Sequence, residues 1–156
     1  MAVNVSRRHA VAMSLGAMAA VPLRVHAQSN PVATIWRNPT CGCCKAWARH
    51  LATNGIATTL NDTPDMQAVK TRLRVPADLA SCHTAEIAGY VIEGHVPAAA
   101  ILKLLANKSD AIGLAVPGMP IGSPGMEGGT PEFYDIILFG LDRRLNFGRW
   151  RGDRPA

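Results

Sequence analysis

Three of the four cysteines stand within four consecutive positions, in the stretch Asn-Pro-Thr-Cys-Gly-Cys-Cys-Lys from Asn38 to Lys45. Cys41 and Cys44 form a C-x-x-C pair, the spacing of thiol–disulfide exchange. Cys41 and Cys43 form a C-x-C pair, which suits a soft metal ion. Two sulfurs are enough for disulfide chemistry, and a third thiol between them invites scrambled pairing. Three thiolates at one point suit Cu(I), or several bridged ions. The clustering also argues against two structural disulfides, because a bridge between cysteines so close in sequence removes little chain entropy.

The fourth cysteine, Cys82, is followed directly by His83, and His95 lies 12 residues beyond His83. Neighbours on a strand face opposite ways, so Cys82 and His83 would share one ion only if the backbone bends between them. The alternative is a buried free thiol beside a surface histidine. His95 would reach the cysteines only through loop geometry. His50 is excluded from the cysteine loop: it follows Cys43 by seven residues, roughly 10 Å along a helix. Outside the first 27 residues the methionines are Met66, Met119 and Met126. Met66 reads as core filler. Met119 and Met126 each end a Pro-Gly-Met motif in a turn-rich stretch, and thioether sulfur selects Cu(I) over harder ions. Zinc fits less well, because its structural sites pair two short knuckles and only one is present. A catalytic zinc would need a base, for which Glu86 and Glu93 are the candidates.

Elements to position these groups can be read from the periodicities. Val32–Arg37 is a β-branched run closed by Asn38-Pro39 and predicts a strand. Cys44, Trp47, Ala48 and Leu51 fall at i, i+3, i+4 and i+7, so a helix opens at the cysteines and stops at Asn54-Gly55. A cysteine at a helix N-terminus is favoured as thiolate, which serves both chemistries. A second strand follows at 56–62, then a second helix from Pro64-Asp65 to before Pro76. A hairpin turns near Ala88-Gly89, Pro97 opens a third helix, and a Gly/Pro-rich loop over 113–131 leads to a strand at 133–139. A strand ending in C-x-x-C at a helix start, in a β-α-β-α-β-β-α order, predicts a thioredoxin-like α/β fold. It has a mixed central sheet flanked by helices and a long Gly/Pro/Met loop before the last strand.

The first 27 residues read as an export signal of twin-arginine type, with Arg7-Arg8, an apolar run over 10–23 and a small-x-small pattern ending at Ala27. The run is about 14 residues, short of the roughly 20 a membrane span needs, so stable membrane insertion is not expected. Cleavage near Ala27-Gln28 would remove Arg7, Arg8 and Arg24 and lower the net charge from +5 to +2. Residues 28–142 are then the working domain and 143–156 a mobile basic tail. A nucleic-acid partner would need a basic, aromatic-studded face through the whole domain, which is lacking.

The stretches Asn38–Leu51, Ser81–Pro97 and Gly113–Glu127 together resemble the CopG-type copper-resistance proteins. These form a domain-of-unknown-function family labelled predicted metal-binding proteins, and the resemblance runs from about Ile35 to Phe139. It implies a periplasmic thioredoxin-like domain that binds copper, one ion or more, through Cys41, Cys43 and Cys44. Cys82, His83, His95, Met119 and Met126 match the remaining motifs. It also implies a part in copper tolerance, through a change between Cu(I) and Cu(II) and in company with periplasmic copper-handling proteins. Two other readings stay open from the residues alone: a thiol–disulfide oxidoreductase using Cys41 and Cys44, and a passive Cu(I) carrier.

Overall fold

The computed structural model describes residues 30–156; the expected export signal lies outside them. Strand β1 (Val32–Arg37) stops just before Asn38, which builds the turn that follows. The Asn38 side-chain oxygen accepts the Thr40 N–H at 3.0 Å, and its carbonyl accepts the Cys41 N–H at 3.0 Å. Helix α1 (Gly42–Thr53) starts there and buries Cys44, Trp47, Ala48 and Leu51, the stripe its period predicts. Strand β2 (Ala57–Asp62) returns parallel to β1. Helix α2 (Met66–Arg72) is capped by Asp65, whose carboxylate accepts the Ala68 N–H at 2.9 Å.

A 3₁₀ turn (Ala77–Leu79) leads into the hairpin of β3 (His83–Ile87) and β4 (Tyr90–Glu93). Ala88 and Gly89 both have positive φ, +49° and +84°, as a two-residue hairpin turn of matching twist requires. Helix α3 (Ala98–Asn107) follows, then β5 (Gly113–Ala115), β6 (Phe133–Phe139), β7 (Arg144–Arg151) and β8 (Arg154–Pro155). The strands form one open mixed sheet in the order β2-β1-β3-β4-β5-β6-β7-β8, with β1–β2 and β4–β5 parallel. The mixed α/β expectation therefore holds, with three α-helices among the described residues.

Alternation sorts the side chains to the two faces. Ile35, Ala85, Ile92, Leu114, Ile136 and Leu138 join Trp47 and Leu51 of α1 and Ile101 and Leu104 of α3 in the main core. Val91, Ala115 and Phe139 face the other way and pack with Leu79 of the 3₁₀ turn. Two expectations are corrected. The loop over 113–131 opens with β5, which pairs with both β4 and β6. Residues 143–156 are not an appended tail: β7 pairs along all of β6, β8 pairs with β7, and Trp150 is buried in the main core. The long loop thus precedes β6 and not the last strand.

Candidate metal centre

The C-x-C-C loop is fixed from below and from its own helix. Arg37, the buried last residue of β1, donates through Nη1 to the carbonyls of Asn38, Pro39 and Cys41 at 3.1–3.2 Å, and through Nη2 to Asp62 at 2.7 Å. Cys41 is the N-cap of α1, and its Sγ accepts the Cys44 N–H at 3.3 Å. Cys41 and Cys44 are joined as a disulfide; Cys43 and Cys82 are free thiols. Cys43 Sγ lies 3.4 Å from Cys41 Sγ and 3.8 Å from Cys82 Sγ, and Cys44 Sγ lies 3.8 Å from Cys82 Sγ. All four sulfurs therefore meet at one point, at the C-terminal end of β1 and the entry to β3.

Cys82 belongs to a second group as well. Its sulfur is 3.1 Å from His83 Nδ1 and 3.1 Å from His95 Nε2. The ligand atoms of Cys41, Cys43, Cys44 and Cys82 lie within 4.8 Å of one another, and so do those of Cys82, His83 and His95. The chain bends at Cys82, just before β3 begins, which meets the condition for Cys82 and His83 to converge. His83 packs its ring on Trp47 at 4.3 Å and edge-on to His95 at 5.0 Å.

Burial sets the protonation states. His83 is fully buried, and burial, then His95, then Lys70 lower it well below its ordinary value. Burial also lowers His95. His95 Nδ1 is 2.8 Å from the Pro124 carbonyl, so Nδ1 carries the proton and the Nε2 lone pair faces Cys82. Burial, then the Cys43 sulfur, push the Cys82 thiol up to about 12. The cluster is thus two neutral imidazoles beside soft sulfurs, a donor set that fits copper. The Nε2 of His83 is buried without a hydrogen-bond partner, so that atom has unused capacity.

The two Pro-Gly-Met motifs approach through backbone. Ser81 Oγ donates to the Gly118 carbonyl, Pro124 receives His95, and Gly125 lies directly on α1. Met119 is about half exposed and Met126 partly buried. His50 is remote from the cysteines, as its spacing implied, and its Nε2 accepts the Ala98 N–H at 3.0 Å. Sequence reasoning missed the supports: Arg37, and a buried network in which Glu93 holds Lys70, Thr84 and the Ser81 N–H. The one legible signal was a lone carboxylate in the otherwise apolar strand Tyr90–Glu93. Glu93 is committed to that network and is no free base.

Comparison with known proteins agrees with the geometry. Residues 79–126 match the family described as "Protein of unknown function, DUF411". A solved structure of copper resistance protein CopG, form 2, is 44% identical with TM-score 0.74, covering 77% of this chain and 98% of that one. Form 1 of the same protein is 45% identical with TM-score 0.73, covering 78% and 98%. No curated protein sequence matches the chain.

Proposed function

Because the chain belongs to the family of copper resistance protein CopG, we propose that it binds copper for copper resistance through the C-x-C-C cluster and its neighbours. The observation that carries this reading is the shared position of Cys82. One sulfur joins a four-cysteine group to a Cys-His-His group, and both offer atoms close enough for metal ligation. Thiolates favour Cu(I) and imidazoles serve Cu(II), so the joined groups suit more than one ion and more than one oxidation state. Met119 and Met126 complete the proposed ligand set, the half-exposed Met119 at its outer side. The scaffold is read as thioredoxin-like, supported by the parallel β1–α1–β2 unit with the C-x-x-C at its strand-to-helix turn. The place of action is the periplasm, and the partners are copper ions and periplasmic copper-handling proteins.

Redox cycling has a balanced form here. Closing the Cys41–Cys44 disulfide from two thiolates releases two electrons, the number that converts two Cu(II) to two Cu(I). Opening it takes the same two electrons back from two Cu(I), which return to two Cu(II). His95, with its proton held on Nδ1 by Pro124, presents an unprotonated Nε2 throughout. Storage without turnover, as a passive Cu(I) carrier, uses the same ligands with Cys41 and Cys44 kept open as thiolates.

The disulfide itself favours a second reading, a thiol–disulfide oxidoreductase working through Cys41 and Cys44. Metal analysis separates the readings. The reduced protein is loaded anaerobically with excess Cu(I), desalted and assayed, beside Cys43→Ser and Cys82→Ser variants. The expected result is more than one copper per chain, falling in both variants and furthest in Cys82→Ser. No retained copper, with Cys41–Cys44 closing readily and insulin reduction that survives Cys43→Ser, would establish the dithiol enzyme instead.

A further inference from the structure

We propose that Glu93, held by Lys70, is the positioning residue that bends the chain at Ser81–Cys82 and so lets two adjacent residues, Cys82 and His83, converge. Strand alternation puts residues 82 and 84 on one face and 83 on the other. Thr84 obeys it: its hydroxyl meets Lys70 of α2, while His83 packs on Trp47 of α1. Cys82 does not, because its sulfur lies 3.1 Å from both His83 Nδ1 and His95 Nε2. The backbone must therefore leave the strand path just before β3, and doing so takes the Ser81 N–H out of the sheet ladder.

Glu93 receives that N–H. Its carboxylate is wholly buried at the end of β4, opposite Thr84 in register. Oε1 accepts the Ser81 N–H at 2.6 Å and pairs with the Lys70 ammonium; Oε2 accepts the Thr84 hydroxyl at 2.6 Å. Lys70 in turn donates to the Thr84 Oγ at 3.1 Å. Gly94, at φ +72°, lets the two strands come together here, since a Cβ would sit 2.6 Å from both Ser81 Oγ and the Val116 carbonyl. One residue further, His95 delivers its ring to Cys82. Glu93 touches none of the proposed ligand atoms, yet it ties the segment carrying Cys82 to the strand that leads into His95.

A buried ion pair adds little net stability over an apolar pair of similar shape, so its presence is explained better by what it specifies. A charge-assisted acceptor holds one N–H in one direction more firmly than a neutral one. Groups that orient ligands from behind typically change metal affinity 10- to 100-fold. The copper readout of this role rests on the metal-binding reading above, whereas its backbone readout does not.

The test uses the full chain with four changes, each measured with Cu(I) alone against a chromogenic chelator and, metal-free, by Ser81 amide hydrogen exchange. Lys70→Met with Glu93→Leu removes the pair and the acceptor. Lys70→Met with Glu93→Gln removes the pair and keeps an acceptor for Ser81. Glu93→Asp keeps the charge pair and withdraws the carboxylate by one methylene, which serves if the apolar pair does not fold. Cys82→Ser controls for the metal centre. Expected are fast Ser81 exchange and a roughly 10- to 100-fold weaker Cu(I) affinity in the Leu pair and in Glu93→Asp. The Gln pair should show slow exchange and most of the affinity, at similar melting temperature. Equal Ser81 exchange across the folded variants, or affinity that merely follows melting temperature, overturns the proposal. Unchanged affinity in Cys82→Ser would instead sink the metal-binding reading and leave the Ser81 exchange to decide this one.

Discussion

Arg37 gives three hydrogen bonds through Nη1 to the loop that presents the cysteines, and its other terminal nitrogen, Nη2, is tied to Asp62. Arg37→Met keeps the stem and removes all of them, so the Cys41 carbonyl loses a charged donor. The expected cost is about 2 kcal/mol in denaturant unfolding, together with weaker copper retention, because the loop then relies on the Asn38 turn and the helix cap. His50 carries a different prediction. Pro97 offers no side-chain cap to α3, and His50 Nε2 accepts the Ala98 N–H in its place, which requires the neutral ring. Burial, only partly offset by Asp153 and Glu127, lowers His50 from its ordinary 6.5. The unfolded chain therefore binds the proton first as pH falls. Stability is full above about 6.5 and declines between there and the folded value. His83 and His95, also lowered by burial, act in the same direction. Unfolding free energy of the metal-free protein should rise with pH across this window, and His50→Gln should make the rise shallower. An unchanged slope would rule His50 out as a contributor.

Among the elements, α1 and the loop after β5 depend on each other. Gly125 is at φ +89°, and a Cβ there would lie 2.7 Å from the Cys43 carbonyl and 2.8 Å from the Trp47 nitrogen. Backbone atoms inside a helix cannot move aside, and a positive φ costs an L side chain about 1–2 kcal/mol even where space exists. Gly125→Ala should therefore lift the loop from α1, lower the melting temperature and free His95 from the Pro124 carbonyl. Nitrogen NMR of the histidine rings would report that release as a mixed His95 tautomer; a single tautomer with native melting would refute it. The main elements were legible because they repeat: the 44-47-48-51 stripe of α1 and the branched run of β1 each follow one period. Strand β5 was not, since three residues, Gly113–Ala115, cannot display a period.

For the whole molecule, the consequential miss is β7. Its apolar residues Leu145, Phe147 and Trp150 break the two-residue period, and arginines surround them. The register explains the break: Ile136 pairs with Gly148 but Ile137 with Asn146, so Phe147 is the extra residue of a β-bulge. Past the bulge Trp150 turns into the core, and Tyr134 donates its hydroxyl to the Gly152 carbonyl. A chain ended after Asp142 should lose that packing, at least about 3–5 kcal/mol for the tryptophan alone, and expose β6 as an open edge. Size-exclusion and thermal unfolding should show aggregation or a much lower melting temperature. Native behaviour would restore the boundary at 142 that composition suggested. No helix among the described residues is long and apolar enough to cross a membrane.

The sequence by itself determined the donors and the local scaffold. Soft sulfurs spaced as C-x-C-C at a strand-to-helix turn follow from residue type and from contacts within one or two turns of chain. The tertiary structure alone decided which donors meet. Cys82 joins the cysteine loop through the β1–β3 pairing of Arg37 with His83. It meets His83 through a bend that runs to Glu93, and His95 is aimed by a carbonyl 29 residues away. Those partners are distant in sequence, and their directions depend on where an N–H or a carbonyl is left free when the sheet is complete. No period or spacing along the chain carries that information.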